Sequence, residues 1–332
     1  MGLGICCGKR ELLESQQVLS QSRESCTLLC VTEVISTGSL RLDIALGIGG
    51  APRGHIIEIS GPASSGKTTL CQHIIAEAQK SGGICAYIDA DHSLDPRYAA
   101  RCGVDVDRLY ISEPEYAEQA LQMAEILARS GALAVLAVDS VSALVPQSEI
   151  AGDSGESAAG LEDRLISQAL RNLSTTGRKT NTAVILTTRT NLRKPPVYHN
   201  LADNPARLAL KLYASLRLSL QPVRLIRENG QITGNQVQIE VLKNKFATLF
   251  HTIELDIMYN EGISKSGELL DLGTQLLIIS RLGSAYYYRG LPLGEGRETA
   301  LCYLRQHASL STKIERVIRQ KLLPPALMAV KP

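Results

Sequence analysis

The sequence predicts an α/β protein with a mostly parallel, twisted β-sheet and a small C-terminal α+β subdomain. Three observations carry this prediction. Strand-like and helix-like patterns alternate from residue 36 onward, several strand segments are continuously apolar, and a glycine-rich turn joins an apolar strand to a helix. A strand that is apolar along its whole length is typical of a parallel sheet with both faces covered, so helices are expected on both sides.

The elements follow one another in a regular order from residue 55. The predicted strands are 55–60, 85–90, 109–112, 133–141 and 181–188, with β-rich segments at 216–225, 235–243 and 252–259. The predicted helices are 68–80, 117–130, 161–176 and 206–215. Helix 117–130 carries apolar residues at 120, 121, 124 and 127, which is the spacing of one helix face. From about residue 268 the pattern becomes mixed, with Tyr286–Tyr288 predicted at a strand edge and a basic helix over 313–323.

Composition excludes several classes of protein. The 332 residues carry a formal net charge of only +2, which excludes a uniformly basic nucleic-acid coat and requires any such site to be a local patch. No apolar run reaches the roughly 18 residues of a membrane span, and no secretory signal is evident. The eight cysteines form no CxxC pair and are expected to be reduced thiols. We therefore expect a cytoplasmic protein with no membrane partner.

The glycine-rich turn has the chemistry of a phosphate-binding loop. It matches GxxxxGK followed by Ser or Thr, directly after an apolar strand and at the start of a helix. In such a loop the backbone N–H groups and the helix N-terminus bind anionic oxygens, the lysine contacts the β- and γ-phosphates, and the threonine binds Mg²⁺. The alternative is a glycine-rich turn with an exposed lysine. The candidate ATP-binding residues here are Gly61, Pro62, Ala63, Ser64, Ser65, Gly66, Lys67, Thr68 and Thr69.

Asp139 follows the apolar strand that begins at Leu133. The second metal-site carboxylate of a phosphate-loop ATPase belongs at the end of such a strand, so Thr68 and Asp139 are the candidate Mg²⁺ ligands. The alternative is that Asp139 is a helix cap or a turn residue.

Several motifs occur in order along the chain and together indicate a family. They span 36–47, 61–69, 89–96, 138–144, 243–245 and 267–273, with sequences such as STGSLRLDIALG, DADHSLDP, VDSVSAL and GELLDLG. Taken together over about residues 34–325, the chain resembles the bacterial RecA recombinase family. The resemblance is more specific than a phosphate loop alone, because many motifs lie in register.

This resemblance implies a RecA-type ATPase core and a set of activities. Members form ATP-dependent filaments on single-stranded DNA, pair it with homologous double-stranded DNA and exchange strands in repair. They also promote self-cleavage of a LexA-type repressor in the SOS response. The implied divisions are an N-terminal oligomerisation segment (1–33), the ATPase core (34–265) and the C-terminal subdomain (266–332).

The resemblance also implies roles for residues outside the phosphate loop. Asp95, Tyr98 and Tyr259 correspond to residues near the adenine. Lys243 and Lys245 correspond to residues that reach the γ-phosphate of a neighbouring subunit, although a basic β-turn is the alternative.

Two loops would face DNA in such a filament. The first spans about 147–159 and leads into Arg164, Ser167 and Arg171, whose spacings of 3 and 4 place them on one helix face. Ordinary helix-surface charge is the alternative for the two arginines. The second loop, about 190–206, and its flanks hold five basic residues against the single Asp203, an excess that suits a polyanion. These residues are Arg189, Arg193, Lys194, Arg207 and Lys211, and Tyr198 offers a flat face for a base.

The chain departs from the family pattern at functional positions. Asp91 stands where the family has the glutamate that activates the attacking water, and its side chain is shorter by about 1.5 Å. Because a misplacement on that scale can cost about 100-fold in rate, slow ATP hydrolysis is expected. Arg189 replaces a glutamine that senses the γ-phosphate. A guanidinium cannot accept a hydrogen bond but could still contact the phosphate directly, so Arg189 is also a candidate ATP-binding residue. Pro195 and Pro196 stiffen the second loop.

These departures leave three functional hypotheses. The first is a divergent recombinase with DNA-stimulated ATPase activity. The second is an accessory paralogue that binds ATP and DNA, hydrolyses weakly and regulates a true recombinase. The third is a hexameric motor of the same fold, against which the extended motifs and the C-terminal subdomain argue.

Overall fold

The computed structural model describes residues 33–147, 157–190, 205–228, 230–247 and 251–323. The strands are β1 (Val34–Ile35), β2 (Ala51–Pro52), β3 (Ile56–Gly61), β4 (Ile84–Asp89), β5 (Leu109–Ser112), β6 (Leu133–Asp139), β7 (Ala183–Arg189), β8 (Leu216–Glu228), β9 (Gln231–Asn244), β10 (Thr252–Met258), β11 (Gly262–Ile263), β12 (Ile279–Leu282), β13 (Ala285–Tyr288) and β14 (Leu291–Glu295). The helices are α1 (Leu40–Ala45), α2 (Lys67–Lys80), α3 (Pro96–Arg101), α4 (Ala117–Arg129), α5 (Ser157–Thr180), α6 (Pro205–Tyr213), α7 (Lys265–Gln275), α8 (Arg297–Gln306) and α9 (Ala308–Leu322). Across these ranges, no helix is long and apolar enough to cross a membrane. The predicted N-terminal segment, apart from Glu33, lies outside them.

A nine-stranded sheet with the order β11-β10-β9-β8-β3-β7-β6-β4-β5 forms the centre of the protein. The strands from β8 to β5 pair in parallel. The other pairs, from β8 to β11, are antiparallel. The predicted mostly parallel sheet is therefore confirmed. The carboxyl ends of β3, β6 and β7 lie side by side, which places their final residues at one edge of the sheet.

Both faces of this sheet are buried, as the continuous apolar runs indicate. Neighbouring residues of β3 point to opposite faces, with Ile56 and Ile57 in separate hydrophobic clusters. Helix α2 covers the face of Ile57, with Ile74 packed in the same cluster. Helix α4 covers the other face through fully buried alanines such as Ala124. Small side chains let this helix approach the sheet closely.

The C-terminal subdomain has its own three-stranded antiparallel sheet in the order β12-β13-β14. The tyrosine run lies in its central strand, so the predicted strand edge is wrong. Tyr286 and Tyr288 are buried because alternate residues of β13 face the subdomain core, whereas Tyr287 is only half-buried. Helices α8 and α9 complete that core, with Leu301 and Ile314 among its members.

Part of the first RecA-like motif joins the subdomain to the core. Asp43 in α1 is fully buried and accepts hydrogen bonds from Thr37 N at 2.8 Å and Thr37 Oγ1 at 2.7 Å. Its other oxygen accepts from Arg319 of α9 at 2.7 Å. A buried carboxylate needs such partners to offset its lost hydration. The motif residue therefore ties the C-terminal helix to the core.

Glu268 of α7 makes a second connection at the same seam. Its Oε1 accepts from Ser39 Oγ at 2.6 Å, and its Oε2 accepts from Leu40 N at 2.6 Å, at the start of α1. Burial raises the pKa of Glu268 from 4.5 to about 7, although these hydrogen bonds oppose the shift. The folded protein therefore holds this carboxyl protonated at a pH where the unfolded chain has released the proton.

The free energy of unfolding is expected to fall as pH rises between about 4.5 and 7, since the raised pKa of Glu268 favours folding only while the group is protonated. The loss is on the order of 3 kcal/mol. Glu268→Gln keeps a neutral group with similar contacts and should remove this slope. Urea midpoints at pH 5 and pH 8 measure it. Glu261→Gln, which removes a surface ion pair with Arg305, is the control. An unchanged slope in Glu268→Gln would contradict the assignment.

Candidate nucleotide-binding site

The phosphate loop lies between the end of β3 and the start of α2. Gly66 precedes α2 with φ of 87°, a left-handed conformation that side chains rarely adopt. A Cβ at this position would also lie 2.4 Å from Ile257 Cδ1. No side chain caps the start of α2, so its first N–H groups face the loop without a side-chain acceptor. This arrangement is suited to an anion.

Lys67 is the first residue of α2 and is largely buried. Its Nζ donates to the carbonyl oxygen of Pro62 at 2.7 Å, which folds the side chain back over the loop. Burial lowers the pKa of this lysine, and the charge of Asp139 opposes the shift. The buried hydroxyls of Ser65 and Ser140 have no hydrogen-bond partner within the described residues. A buried ammonium and unpaired hydroxyls fit a phosphate ligand.

Asp139 lies at the end of β6 and accepts hydrogen bonds from three hydroxyl groups. Thr68 Oγ1 donates to its Oδ2 at 2.5 Å, and Tyr87 OH donates to the same oxygen at 2.7 Å. Thr187 Oγ1 donates to Oδ1. Sequence reasoning predicted the pairing of Asp139 with Thr68 at one site but missed Tyr87 and Thr187. The only sequence signal for these two residues was that each is a polar residue near the end of a strand next to β6.

The Thr68 hydroxyl and the Asp139 carboxylate are hard oxygen donors in direct contact. Mg²⁺ prefers such donors and is usually bound through one or two protein oxygens together with substrate phosphates. The residues present therefore fit Mg²⁺ beside a bound nucleotide. The alternative of Asp139 as a helix cap has no support here, because its described side-chain partners are hydroxyls.

Asp91 follows β4 and forms an ion pair with Arg189, the last residue of β7. Arg189 Nη2 donates to Asp91 Oδ2 at 2.6 Å, and Ser93 Oγ donates to Oδ1 at 2.6 Å. Asp89, at the end of β4, stabilises the turn that contains Asp91 by accepting a hydrogen bond from Leu94 N at 2.9 Å. The structure thus joins two residues at which the sequence analysis expects a departure from the family pattern.

One of the three candidate adenine residues, Tyr98, contacts the phosphate loop. Tyr98 OH is 3.0 Å from Thr69 Oγ1, which connects α3 to the phosphate loop. Burial raises the pKa of Tyr98 to about 12. Asp95 is exposed and caps α3 by accepting from Arg97 N. Tyr259 follows β10, is exposed, and donates through its hydroxyl to Asn235 Oδ1 at 2.9 Å.

Lys243 and Lys245 lie near the end of β9. Lys243 Nζ donates to the carbonyl oxygen of Lys211 at 2.5 Å, at the C-terminal end of α6, where a cation is favourable. Lys245 is exposed. Sequence reasoning missed an ion pair nearby. Arg217 of β8 pairs with Lys243 in the β8–β9 register, and its side chain binds the buried Glu58.

The candidate DNA-binding residues are only partly described. Arg164 and Arg171 are exposed on α5, and Ser167 between them is half-buried. Helix α5 extends over Ser157–Thr180, longer than the predicted 161–176. Arg193, Lys194 and Tyr198 lie outside the described residues. Arg207 belongs to α6, but its side chain is outside the described part of the structure.

Comparisons with known proteins agree with this geometry. Residues 19–264 match the family model of the RecA N-terminal domain, and residues 267–323 match that of the RecA C-terminal domain. Protein RecA of Rhodospirillum centenum is 51% identical over 288 residues, which cover 87% of this chain and 80% of that protein. Protein RecA of Azospirillum lipoferum is 51% identical over 291 residues, with 88% and 81% covered. Protein RecA of Gluconobacter oxydans is 50% identical over 299 residues, with 90% and 87% covered.

Proposed function

This chain belongs to the RecA family, and from that premise we infer that it is an ATP-dependent recombinase of DNA repair. It binds single-stranded DNA, forms a filament on it, pairs it with homologous double-stranded DNA and exchanges strands. The observation that carries this function is the match to both RecA domains around a phosphate loop whose threonine contacts a buried carboxylate. The accessory-paralogue alternative is not favoured, because the relatives that span most of the chain are named Protein RecA. The hexameric-motor alternative is not supported either, because the chain also matches the RecA C-terminal domain.

In the proposed reaction, ATP binds with its phosphates on the loop of residues 61–69. Lys67 and the N-terminus of α2 bind the β- and γ-phosphates, and Tyr98 packs near the adenine together with Asp95 and Tyr259. Mg²⁺ held by Thr68 and Asp139 would supply positive charge to the phosphates of bound ATP. Three hydroxyls hold Asp139 in position for this task. Ordered ligands of this kind reduce the reorganisation needed at the reacting centre.

Asp91 is the proposed base that orients the attacking water. Lys243 and Lys245 are proposed to reach the γ-phosphate of a neighbouring protomer and stabilise its charge. For Lys243 this requires release from the carbonyl oxygens at the end of α6, where its Nζ lies in the isolated chain. Lys245 is exposed and needs no such release.

We propose DNA contacts for residues on two segments. The exposed arginines of α5, Arg164 and Arg171, bind backbone phosphates with Ser167 between them. The second segment contributes Arg193, Lys194, Tyr198 and Arg207. Binding that rests on backbone phosphates should have little sequence preference and a strong dependence on salt.

The remaining parts of the proposal follow from the family. Residues 1–33 would serve in oligomerisation, 34–265 as the ATPase core and 266–332 as the C-terminal subdomain. A filament on DNA would act in the cytoplasm and would promote self-cleavage of a LexA-type repressor.

ATP turnover and electron microscopy, each with and without single-stranded DNA, test this function together. We expect DNA to stimulate turnover and helical filaments to form with a non-hydrolysable ATP analogue. Raising the salt from 50 to 200 mM should weaken single-stranded DNA binding by about 300-fold or more if six or more phosphates are contacted. Nucleotide binding without turnover or filaments would support the accessory paralogue instead, and rings would support the hexameric motor.

Asp91→Glu is expected to raise DNA-stimulated turnover by about 10- to 100-fold, because the longer side chain restores the reach of the base. The measurement is turnover at saturating ATP and DNA. Asp107→Glu, at an exposed position in a single 3-10 turn, is the matched control and should change nothing. Equal rates for Asp91→Glu and the unaltered protein would discard reach as the limit on hydrolysis.

A further inference from the structure

Asp91 and Arg189 are 98 residues apart in the chain and form an ion pair at the edge of the sheet. The Asp91 side chain is 12% exposed and the Arg189 side chain 54% exposed, so the carboxylate is held in place while most of the guanidinium arm borders solvent. Both Asp91 oxygens are in use, since Ser93 donates to the second one at 2.6 Å. In this arrangement a cation largely neutralises the proposed base.

The backbone of Arg189 is anchored by hydrogen bonds, whereas its side chain is held by the ion pair with Asp91. Arg189 N donates to Ser142 Oγ at 2.9 Å, and Thr190 N donates to the Gly61 carbonyl oxygen at 3.0 Å. The first bond ties the end of β7 to the segment that follows β6, and the second ties it to the beginning of the phosphate loop. The charges of Arg189 and Asp91 both act on the ammonium group of Lys67. The Arg189 side chain therefore borders the position proposed for the terminal phosphate.

Carboxylate and phosphate compete for the same donor. A guanidinium binds either group through two parallel N–H donors and stays charged at any accessible pH. A terminal phosphate carries more negative charge than one carboxylate. Once bound beside Lys67, it is the stronger partner for Arg189. A nucleoside diphosphate has no phosphate at that position and offers no such competition.

We propose that Arg189 distinguishes nucleoside triphosphates from diphosphates by exchanging partners. Without nucleotide, Arg189 is held by Asp91. A terminal phosphate draws the guanidinium away, and this release frees Asp91 to orient the attacking water. Arg189 is then a specificity residue for the nucleotide, and its ion pair keeps the base idle until a triphosphate is bound. This inference rests on the proposed function, because it assumes that the loop binds ATP.

A partner exchange predicts a particular coupling between the two residues. The ion pair lowers the apparent affinity for a triphosphate by the fraction of molecules in which Arg189 is free, about fivefold for a pair of ordinary strength. Removing the Asp91 charge raises the affinity for a triphosphate by this factor only if Arg189 is present. Removing the charge also weakens the repulsion between residue 91 and the phosphate, and this second effect does not depend on Arg189. If the pair instead persisted beside the bound phosphate, Asp91 would repel it more strongly after Arg189 is removed.

The test is a double-mutant cycle on nucleotide affinity with the full chain, D91N, R189Q and the double variant. Fluorescent ADP and a fluorescent non-hydrolysable ATP analogue are titrated with Mg²⁺ and followed by anisotropy. We expect D91N to tighten binding of the ATP analogue about tenfold alone and about twofold in the R189Q background. ADP affinity should change by less than about twofold throughout. Should R189Q fail to fold by thermal melting, Arg189→Met replaces it.

The control is Arg129→Gln, which removes an exposed ion pair with Glu125 on α4 and should leave both affinities unchanged. An equal effect of D91N in both backgrounds, or a larger one in the R189Q background, overturns the partner exchange. In that case normal binding of both nucleotides leaves the proposed function intact. If neither nucleotide binds to the unaltered protein, the proposed function fails, and the inference fails with it.

Discussion

Lys67→Ala is expected to weaken binding of a nucleoside triphosphate by about 100-fold or more. The Lys67 ammonium lies over the phosphate loop, buried and bonded to the Pro62 carbonyl oxygen. Its charge therefore acts in a medium that screens it poorly. Alanine removes that charge and leaves the loop backbone in place.

Titration of Lys67→Ala with a fluorescent ATP analogue measures this loss. Lys80→Ala at the other end of the same helix is the matched control, since Lys80 is 57% exposed and pairs with Glu77 at 2.8 Å. It should bind the nucleotide normally. Affinity retained within about threefold in Lys67→Ala would mean that the phosphates bind elsewhere, since a loop without its lysine should lose far more.

Asp139→Asn is expected to raise the Mg²⁺ concentration needed for half-maximal turnover and to lower turnover by about 100-fold or more. Asparagine has nearly the shape of aspartate but lacks the charge that a divalent cation requires. It keeps one acceptor oxygen for the three hydroxyls around it, so we expect the free energy of unfolding to fall by only about 1–2 kcal/mol. Asp139→Ala would leave all three hydroxyls without their acceptor and is the less informative variant.

Tyr87→Phe separates the charge of Asp139 from its positioning. It removes one hydrogen bond to the carboxylate and leaves the charge intact. The free energy of unfolding should fall by about 1 kcal/mol, while turnover should still require Mg²⁺. Magnesium titrations of turnover and urea melts of both variants give the comparison. An unchanged Mg²⁺ requirement in Asp139→Asn would remove Asp139 from the metal site.

The recognisable parts of this site are those whose chemistry is local in sequence. The phosphate loop is a short segment with its own conformational demands, including a glycine at the left-handed position 66. The role expected of Asp139 followed from its place at the end of an apolar strand. The partners Tyr87 and Thr187 were missed, because strand order and register, not spacing, bring them to Asp139.

The same distinction explains the tyrosine run. Three consecutive tyrosines have no apolar periodicity, so an edge position was a reasonable expectation. The subdomain places them in its middle strand, where Tyr286 and Tyr288 fill the core and Tyr287 faces away. A neighbouring strand on each side, rather than the residues themselves, determines whether a strand is central.

Residue pattern alone was sufficient for the alternating α/β architecture, the phosphate loop and the family, because periodicity, turn chemistry and ordered motifs are carried by neighbouring residues. The pairing of Asp91 with Arg189, of Asp43 with Arg319 and of Glu268 with Ser39 was decided only by the folded chain. Each pair joins residues that are far apart in sequence. Such contacts exist only after folding has brought these strand ends and helices together, and burial then determines how strongly the charges interact.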